Sequence, residues 1–151
     1  MTILALDLGT TTGFALAYDD GTIVSGSQSF KPGRFESSAM RFIRFKKFLG
    51  DTHEAAPIDH IVFEEVRRHA GVDAAHAYGG FMSHLLAFAE EHGIPCEAYA
   101  VGAIKKFWTG KGNASKDDMI AKARAAGFSP QDDNEADALA MAHMAIGAAV
   151  L

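Results

Sequence analysis

Ile3-Leu4-Ala5-Leu6-Asp7-Leu8-Gly9-Thr10 decides how this chain is read. Its first four residues are apolar without interruption, as in a strand covered on both faces, and the run ends on a carboxylate. Further along, Phe14, Leu16 and Tyr18 alternate with Ala15 and Ala17, which is strand periodicity. Asp19-Asp20-Gly21 is a hairpin signal, and residues 22–30 continue as a third strand with a polar face. Residues 2–30 thus read as a three-strand meander.

A helical pattern follows over residues 36–49. Met40, Phe42, Phe45, Phe48 and Leu49 recur near helical spacing, and Arg41, Arg44, Lys46 and Lys47 fill much of the remaining surface. Residues 58–66 form a short apolar run suited to the centre of a sheet. Residues 74–92 read as a long helix stopped by Gly93 and Pro95, and residues 96–101 as a strand. Helices are expected over 103–109, 115–126 and 134–150, the second opened by Ser115 with Asp118 in a capping arrangement. With no repeat or linker, residues 1–151 are expected to form one α/β domain. The element order resembles the ribonuclease H-like arrangement, a mixed five-stranded sheet with helices on both faces. In that arrangement the ends of the first and fourth strands are neighbours, and the last helix starts beside them.

Composition narrows the classes. With 48% hydrophobic and 22% charged residues, the chain is a globular protein rather than a disordered or fibrous one. No apolar run reaches the roughly 18 residues that span a bilayer, and the first residues lack the basic start of a secretory signal. A cytoplasmic location without membrane association is expected. The single Cys96 excludes an intrachain disulfide and a cysteine-based zinc site. Net charge is −5, yet all 14 lysines and arginines fall between Lys31 and Arg124, so a local basic surface for nucleic acid is compatible with the acidic total.

Three acids stand where charge is expensive. Asp7 ends the first apolar run, Glu64 ends Ile61-Val62-Phe63, and Asp137 lies among the small residues of Asn134-Glu135-Ala136-Asp137-Ala138-Leu139-Ala140. A desolvated carboxylate needs compensation, and three converging carboxylates call for a divalent cation. Mg²⁺ takes oxygen ligands, and ion pairs roughly 3.5–4 Å apart drive phosphodiester cleavage. Successive strand residues face opposite ways, so Glu64 and Glu65 cannot both face the site, and Glu64 is expected to. Asp133, Asn134 and Asp137 share a helix face, while Asp132 and Asp133 also suit a helix N-terminus. Thr10-Thr11-Thr12 with its flanking glycines could meet phosphate through hydroxyls and amides. That turn resembles the first phosphate loop of actin-like sugar kinases as closely as it resembles nucleases.

Taken together, these segments resemble the RuvC-type Holliday junction resolvases, in a phage or prophage branch. The resemblance rests on Leu6-Asp7-Leu8-Gly9 with Gly13 and Ala15, on Phe63-Glu64-Glu65-Val66, and on Glu135-Ala136-Asp137-Ala138-Leu139-Ala140. Lys105 and Lys116 frame the loop Gly110-Lys111-Gly112-Asn113-Ala114, as a lysine pair of that spacing does in the family. The resemblance implies a homodimer that cuts four-way DNA junctions by paired nicks, with Asp7, Glu64, Asn134 and Asp137 holding two Mg²⁺ or Mn²⁺ ions. It implies that Lys105 and Lys116 act on the scissile phosphate. Arg41, Arg44, Lys47, Arg67, Arg68 and Lys111 would then hold flanking DNA phosphates.

Two positions depart from the family pattern. Asn134 stands where a fourth charged ligand is usual, with Asp133 as a substitute, and Arg67 stands where an aromatic is usual. A junction-binding protein with weak catalysis, a RuvC-like RNA-processing nuclease and an actin-like ATP phosphotransferase are the competing expectations. Gly79-Gly80 within the long helix is expected at a close helix contact, such as a dimer seam. Phe107-Trp108 reads as a stacking platform or as core, and His143 as a helix histidine rather than a ligand.

Overall fold

The computed structural model describes residues 1–150. Five strands, β1 (Ile3–Asp7), β2 (Thr11–Ala17), β3 (Ile23–Ser29), β4 (His60–Glu65) and β5 (Cys96–Ala100), form one sheet in the order β3-β2-β1-β4-β5. β1 pairs antiparallel with β2 and parallel with β4, so the sheet is mixed. The helices are α1 (Met40–Ala55), α2 (Val72–His92), α3 (Val101–Thr109), α4 (Lys116–Ala125) and α5 (Asp133–Val150).

Strand alternation sorts the sheet into two cores. Leu4, Leu6, Leu16, Ile61 and Phe63 pack with Phe45, Leu49, Phe81 and Leu85 of α1 and α2. Ile3, Ala5, Ala15, Ala17 and Val62 pack on the opposite face with Ile104, Trp108, Met119 and the alanine-rich stretch of α5. The second interface is built from small side chains, which lets α5 lie close to the sheet. At Gly13 the approach is closest: a Cβ there would sit 2.0 Å from the Asn134 carbonyl oxygen. Only glycine fits.

Helix α1 starts four residues later than the sequence pattern suggests and runs six further. Residues 33–36 are instead a turn, closed by the Glu36 amide donating to the Gly33 carbonyl at 3.1 Å. At the other end Pro57 forces Ala56 into an extended conformation, and the helix stops there rather than after Leu49. β2 starts at Thr11, leaving residues 8–10 as a tight turn after β1.

The expectation for Gly80 needs correction. Its missing Cβ is filled by the Phe42 ring of α1, whose atoms would come within 2.4 Å. Gly80 therefore serves the α1–α2 contact inside the chain and is not available to a dimer seam. Phe81 and Leu85 of the same helix are fully buried in the same core. Gly79 faces open space.

Candidate metal centre

Register delivers the first two acids. Asp7 follows Ile3 and Ala5 on the α5 side of β1, and Glu64 follows Val62 on the same side of β4. Glu65 falls on the other side, where its Oε1 lies 3.4 Å from Arg67 Nε. Asp137, on the second turn of α5, supplies the third. Oxygens of Asp7, Glu64 and Asp137 all lie within 4.8 Å of one another.

Several groups hold these side chains in place. Gly13 is the β2 partner of Asp7, so the spot where α5 touches the sheet is also the spot where Asp137 must reach Asp7. Asp132 caps α5, accepting the Glu135 amide at 2.9 Å, and its Oδ1 also accepts the Ser27 hydroxyl at 2.6 Å. Glu135, buried despite its charge, accepts Ser25 Oγ at 2.7 Å and the Gln131 amide at 2.9 Å. Two serines on the polar face of β3 thereby tie down the first turn of α5. On β4, the Tyr78 hydroxyl of α2 donates to the Glu64 carbonyl at 2.7 Å and accepts the Val66 amide at 3.2 Å. The backbone that carries Glu64 is pinned from behind.

The threonine turn is largely self-contained. Buried Thr12 donates to the Gly9 carbonyl at 2.6 Å, so its hydroxyl is turned inward. Thr10 Oγ1 accepts from Arg41 at 3.2 Å, which draws that guanidinium toward the end of β1. Lys105 of α3 is close enough for its charge to offset those of Glu64 and Asp137. Lys116 lies 3.8 Å from Asp133. Asp133 adds to the negative potential on Asp7, Glu64 and Asp137, while the group of converging carboxylates is Asp7, Glu64 and Asp137. The Asn134 backbone is committed to the contact with Gly13.

Other candidates lie further out. Arg67 and Arg68 are exposed beside the end of β4 and line a cleft with Ala100 and Val101. Lys111 is exposed on the loop after α3. Arg44 is clamped to both oxygens of Glu36, at 2.7 and 2.6 Å, and Lys47 pairs with Asp51 at 2.6 Å, so both are engaged within the chain. Trp108 is a core residue donating to the Met119 carbonyl at 3.1 Å, while Phe107 is half exposed. His143 bonds the Leu139 carbonyl through Nδ1 at 2.8 Å and stacks near Trp108, as a satisfied helix histidine does.

Electrostatics identify what the centre lacks. Burial, then the charges of Glu64 and Asp137, push the Asp7 carboxyl well above its ordinary range. Burial, with Glu64 and Asp133, pushes Asp137 up to about 7, and burial also raises Glu64. An all-oxygen donor set with this much uncompensated negative charge fits a hard divalent cation.

A mixed sheet of this order, with three carboxylates converging from β1, β4 and the start of the last helix, defines the ribonuclease H-like class of metal-dependent nucleases. Comparison with known proteins carries the assignment further. The chain is 32% identical over 146 residues to the crossover junction endodeoxyribonuclease RuvC of Anaeromyxobacter sp. strain Fw109-5, covering 94% of this chain and 71% of that one. It is 30% identical over 149 residues to the protein of the same name from Dehalococcoides mccartyi, covering 94% and 89%. This chain belongs to the RuvC family. No protein-family model matches it. The fold is shared with Thermus thermophilus RuvC in complex with a Holliday junction substrate, at TM-score 0.78, 23% identity and coverage of 93% and 89%. It is shared more distantly with the yeast mitochondrial Holliday junction resolvase Ydc2, at TM-score 0.63, 15% identity and coverage of 91% and 74%.

Proposed function

We infer that this chain is a metal-dependent endonuclease that cuts four-way DNA junctions by paired symmetric nicks, acting as a homodimer on DNA undergoing recombination or repair. The observation that carries the reading is the convergent, half-buried triad of Asp7, Glu64 and Asp137, on a chain similar over 94% of its length to named RuvC enzymes. Asp7, Glu64 and Asp137 would hold the metal, with Asp133 or Asn134 beside them. A pair of Mg²⁺ or Mn²⁺ ions bound there supplies an activated water and charge stabilisation for the leaving 3′ oxygen.

The protein's own groups do the rest. Gly13 and the serine ties keep Asp137 at a fixed distance from Asp7, and Tyr78 fixes Glu64, so the ligand geometry is set before substrate arrives. Lys105 places positive charge beside the triad, where charge builds on the scissile phosphate, and Lys116 extends that charge along the same side. Arg41, Arg67, Arg68 and Lys111 offer phosphate contacts that position the duplex arms without reading sequence. Arg44 and Lys47, already ion-paired, would contribute less. A phage or prophage branch of the family is part of the same proposal.

Cleavage of junction DNA, duplex DNA and structured RNA, each with and without Mn²⁺, tests this function. Paired nicks confined to junctions are expected. Asp7→Asn should abolish them while leaving junction binding intact or tighter, since it removes a negative charge facing phosphate. Near-normal turnover of Asp7→Asn at saturating Mg²⁺ would disprove the assignment of the centre. Binding without cutting in the parent protein would favour the junction-binding alternative, and preference for RNA the RNA-processing one.

A further inference from the structure

Phe35 is the most exposed of the large apolar side chains among the described residues, with 93% of its surface open. A single exposed apolar residue is ordinary. What sets this one apart is the scaffold beneath it. The turn Gly33-Arg34-Phe35-Glu36 is closed by the Glu36 amide on the Gly33 carbonyl, and Glu36 Oε1 accepts the Gly33 amide in return at 2.5 Å. Both Glu36 oxygens are clamped by Arg44 of α1, and the other end of that guanidinium donates to the Lys31 carbonyl at 3.2 Å. The turn is braced from below, and none of the braces involves the Phe35 side chain.

Location and charge say what such a tip could meet. The loop leaves the sheet where the Phe30 amide donates to the Thr10 carbonyl at 2.7 Å, on the turn that directly follows Asp7. Five residues of chain span at most about 18 Å, so the ring is held near the triad end of the sheet. The Arg34 guanidinium sits 5.4 Å from the Phe35 ring centre, and Lys31 is exposed at the base of the loop. A flat apolar ring with one guanidinium over one face, on a loop that carries a second cation, leaves its other face for an unpaired nucleobase and its cations for the phosphates. A protein groove would need a broader apolar patch, and Phe35 has no large exposed apolar neighbour within its own loop.

We propose that Phe35 is a base-stacking residue of the DNA interface, carried on a turn that Glu36 and Arg44 hold rigid, and that Arg34 takes the adjoining phosphate. On this view Arg44 is a positioning residue for the turn rather than a phosphate ligand. The proposal rests on the nuclease function inferred above.

The test uses the full-length protein and a four-way junction carrying 2-aminopurine at the crossover, with metal withheld so that binding is read without cutting. Wild type should raise the 2-aminopurine signal as bases unstack. Phe35→Ala should lose that rise and bind the junction about tenfold more weakly, with duplex affinity nearly unchanged. Phe35→Trp should restore both, and its indole emission should be quenched by junction or single-stranded DNA but not by blunt duplex. If wild type opens and cuts junctions and Phe35→Ala matches it in opening, affinity and rate, the stacking role is wrong while the nuclease function stands. If Phe35→Ala changes only the sedimentation of the protein, the ring belongs to a contact between copies, and the proposal is overturned. If wild type neither binds nor cuts junctions, yet Phe35→Trp is quenched by single strands, the junction function fails and the stacking role survives.

Discussion

Asp137 shows how one side chain can report on an absent charge. Its carboxyl is raised to about 7, so between the ordinary carboxylate range near 4 and pH 7 the folded protein holds a proton that the unfolded chain has released. Asp7 and Glu64 shift in the same direction. The folded state therefore binds more protons over this window, and stability falls as pH rises through it. In chelator, the melting temperature should drop from pH 5 to pH 8, and Asp137→Asn should flatten that slope. Millimolar Mn²⁺ should reverse the loss at pH 8 in wild type, because a ligand bound only by the folded state stabilises it. Melting curves over this pH range, with and without Mn²⁺, check both effects. A flat metal-free profile would argue against convergence of the three acids.

At the scale of elements, the centre depends on how closely α5 approaches β2. Gly13→Ala would place a methyl group against the Asn134 backbone, which cannot move aside as a flexible side chain could. Overpacking of this kind costs about 1–3 kcal/mol. Relief by sliding α5 outward would carry Asp137 away from Asp7. The expected result is a folded protein with a lowered melting temperature, a much weaker Mn²⁺-dependent stabilisation and cleavage down by two orders of magnitude or more. Calorimetry with and without Mn²⁺, alongside turnover, separates the packing cost from the loss of the centre. The Ser25–Glu135 and Ser27–Asp132 bonds act on the same joint from its outer side.

For the molecule as a whole, paired nicking needs two centres at a fixed spacing, which a two-fold dimer provides. With Gly80, Phe81 and Leu85 occupied inside the chain, the outward side of α2 offers Val72, Gly79 and Leu86 instead. Val72 is 69% and Leu86 43% exposed, and nothing lies within 4 Å of the position a Cβ would take on Gly79. A homodimer seam along that side predicts that Leu86→Glu sediments as a monomer and nicks junctions singly, with its melting temperature nearly unchanged. Analytical ultracentrifugation at tens of micromolar and strand-resolved cleavage products check this. A wild-type monomer that still makes symmetric paired nicks would remove the need for the seam. Gly80→Glu is no substitute, because it would break the α1–α2 contact first.

The order of elements along the chain and the three acids were legible in the sequence because both follow from local rules, whereas the adjacency of the first and fourth strands came only with the resemblance to the ribonuclease H-like arrangement. A continuous apolar run has to be covered on both faces, a two-residue alternation has to place Glu64 and Glu65 on opposite sides, and a carboxylate among small buried residues has to have a partner. Trp108 in the core and His143 bonded to its own helix also follow from the ordinary behaviour of such residues. What local rules could not supply is which surfaces meet. Gly13 and Gly80 look alike in the sequence, as glycines inside regular elements, yet one admits a helix backbone beside the metal centre and the other a phenylalanine ring. Arg44 and Arg67 look equally free, yet one is clamped by both oxygens of Glu36 in bracing a turn and the other is exposed, with a single longer contact to Glu65. Tyr78, Ser25 and Ser27 carry no motif, because their role is to bond groups 14 to 110 positions away along the chain. Periodicity and charge cost act between neighbours in sequence, so the sequence alone determines them. Close approach and pairing act between neighbours in space, and only the folded chain decides those.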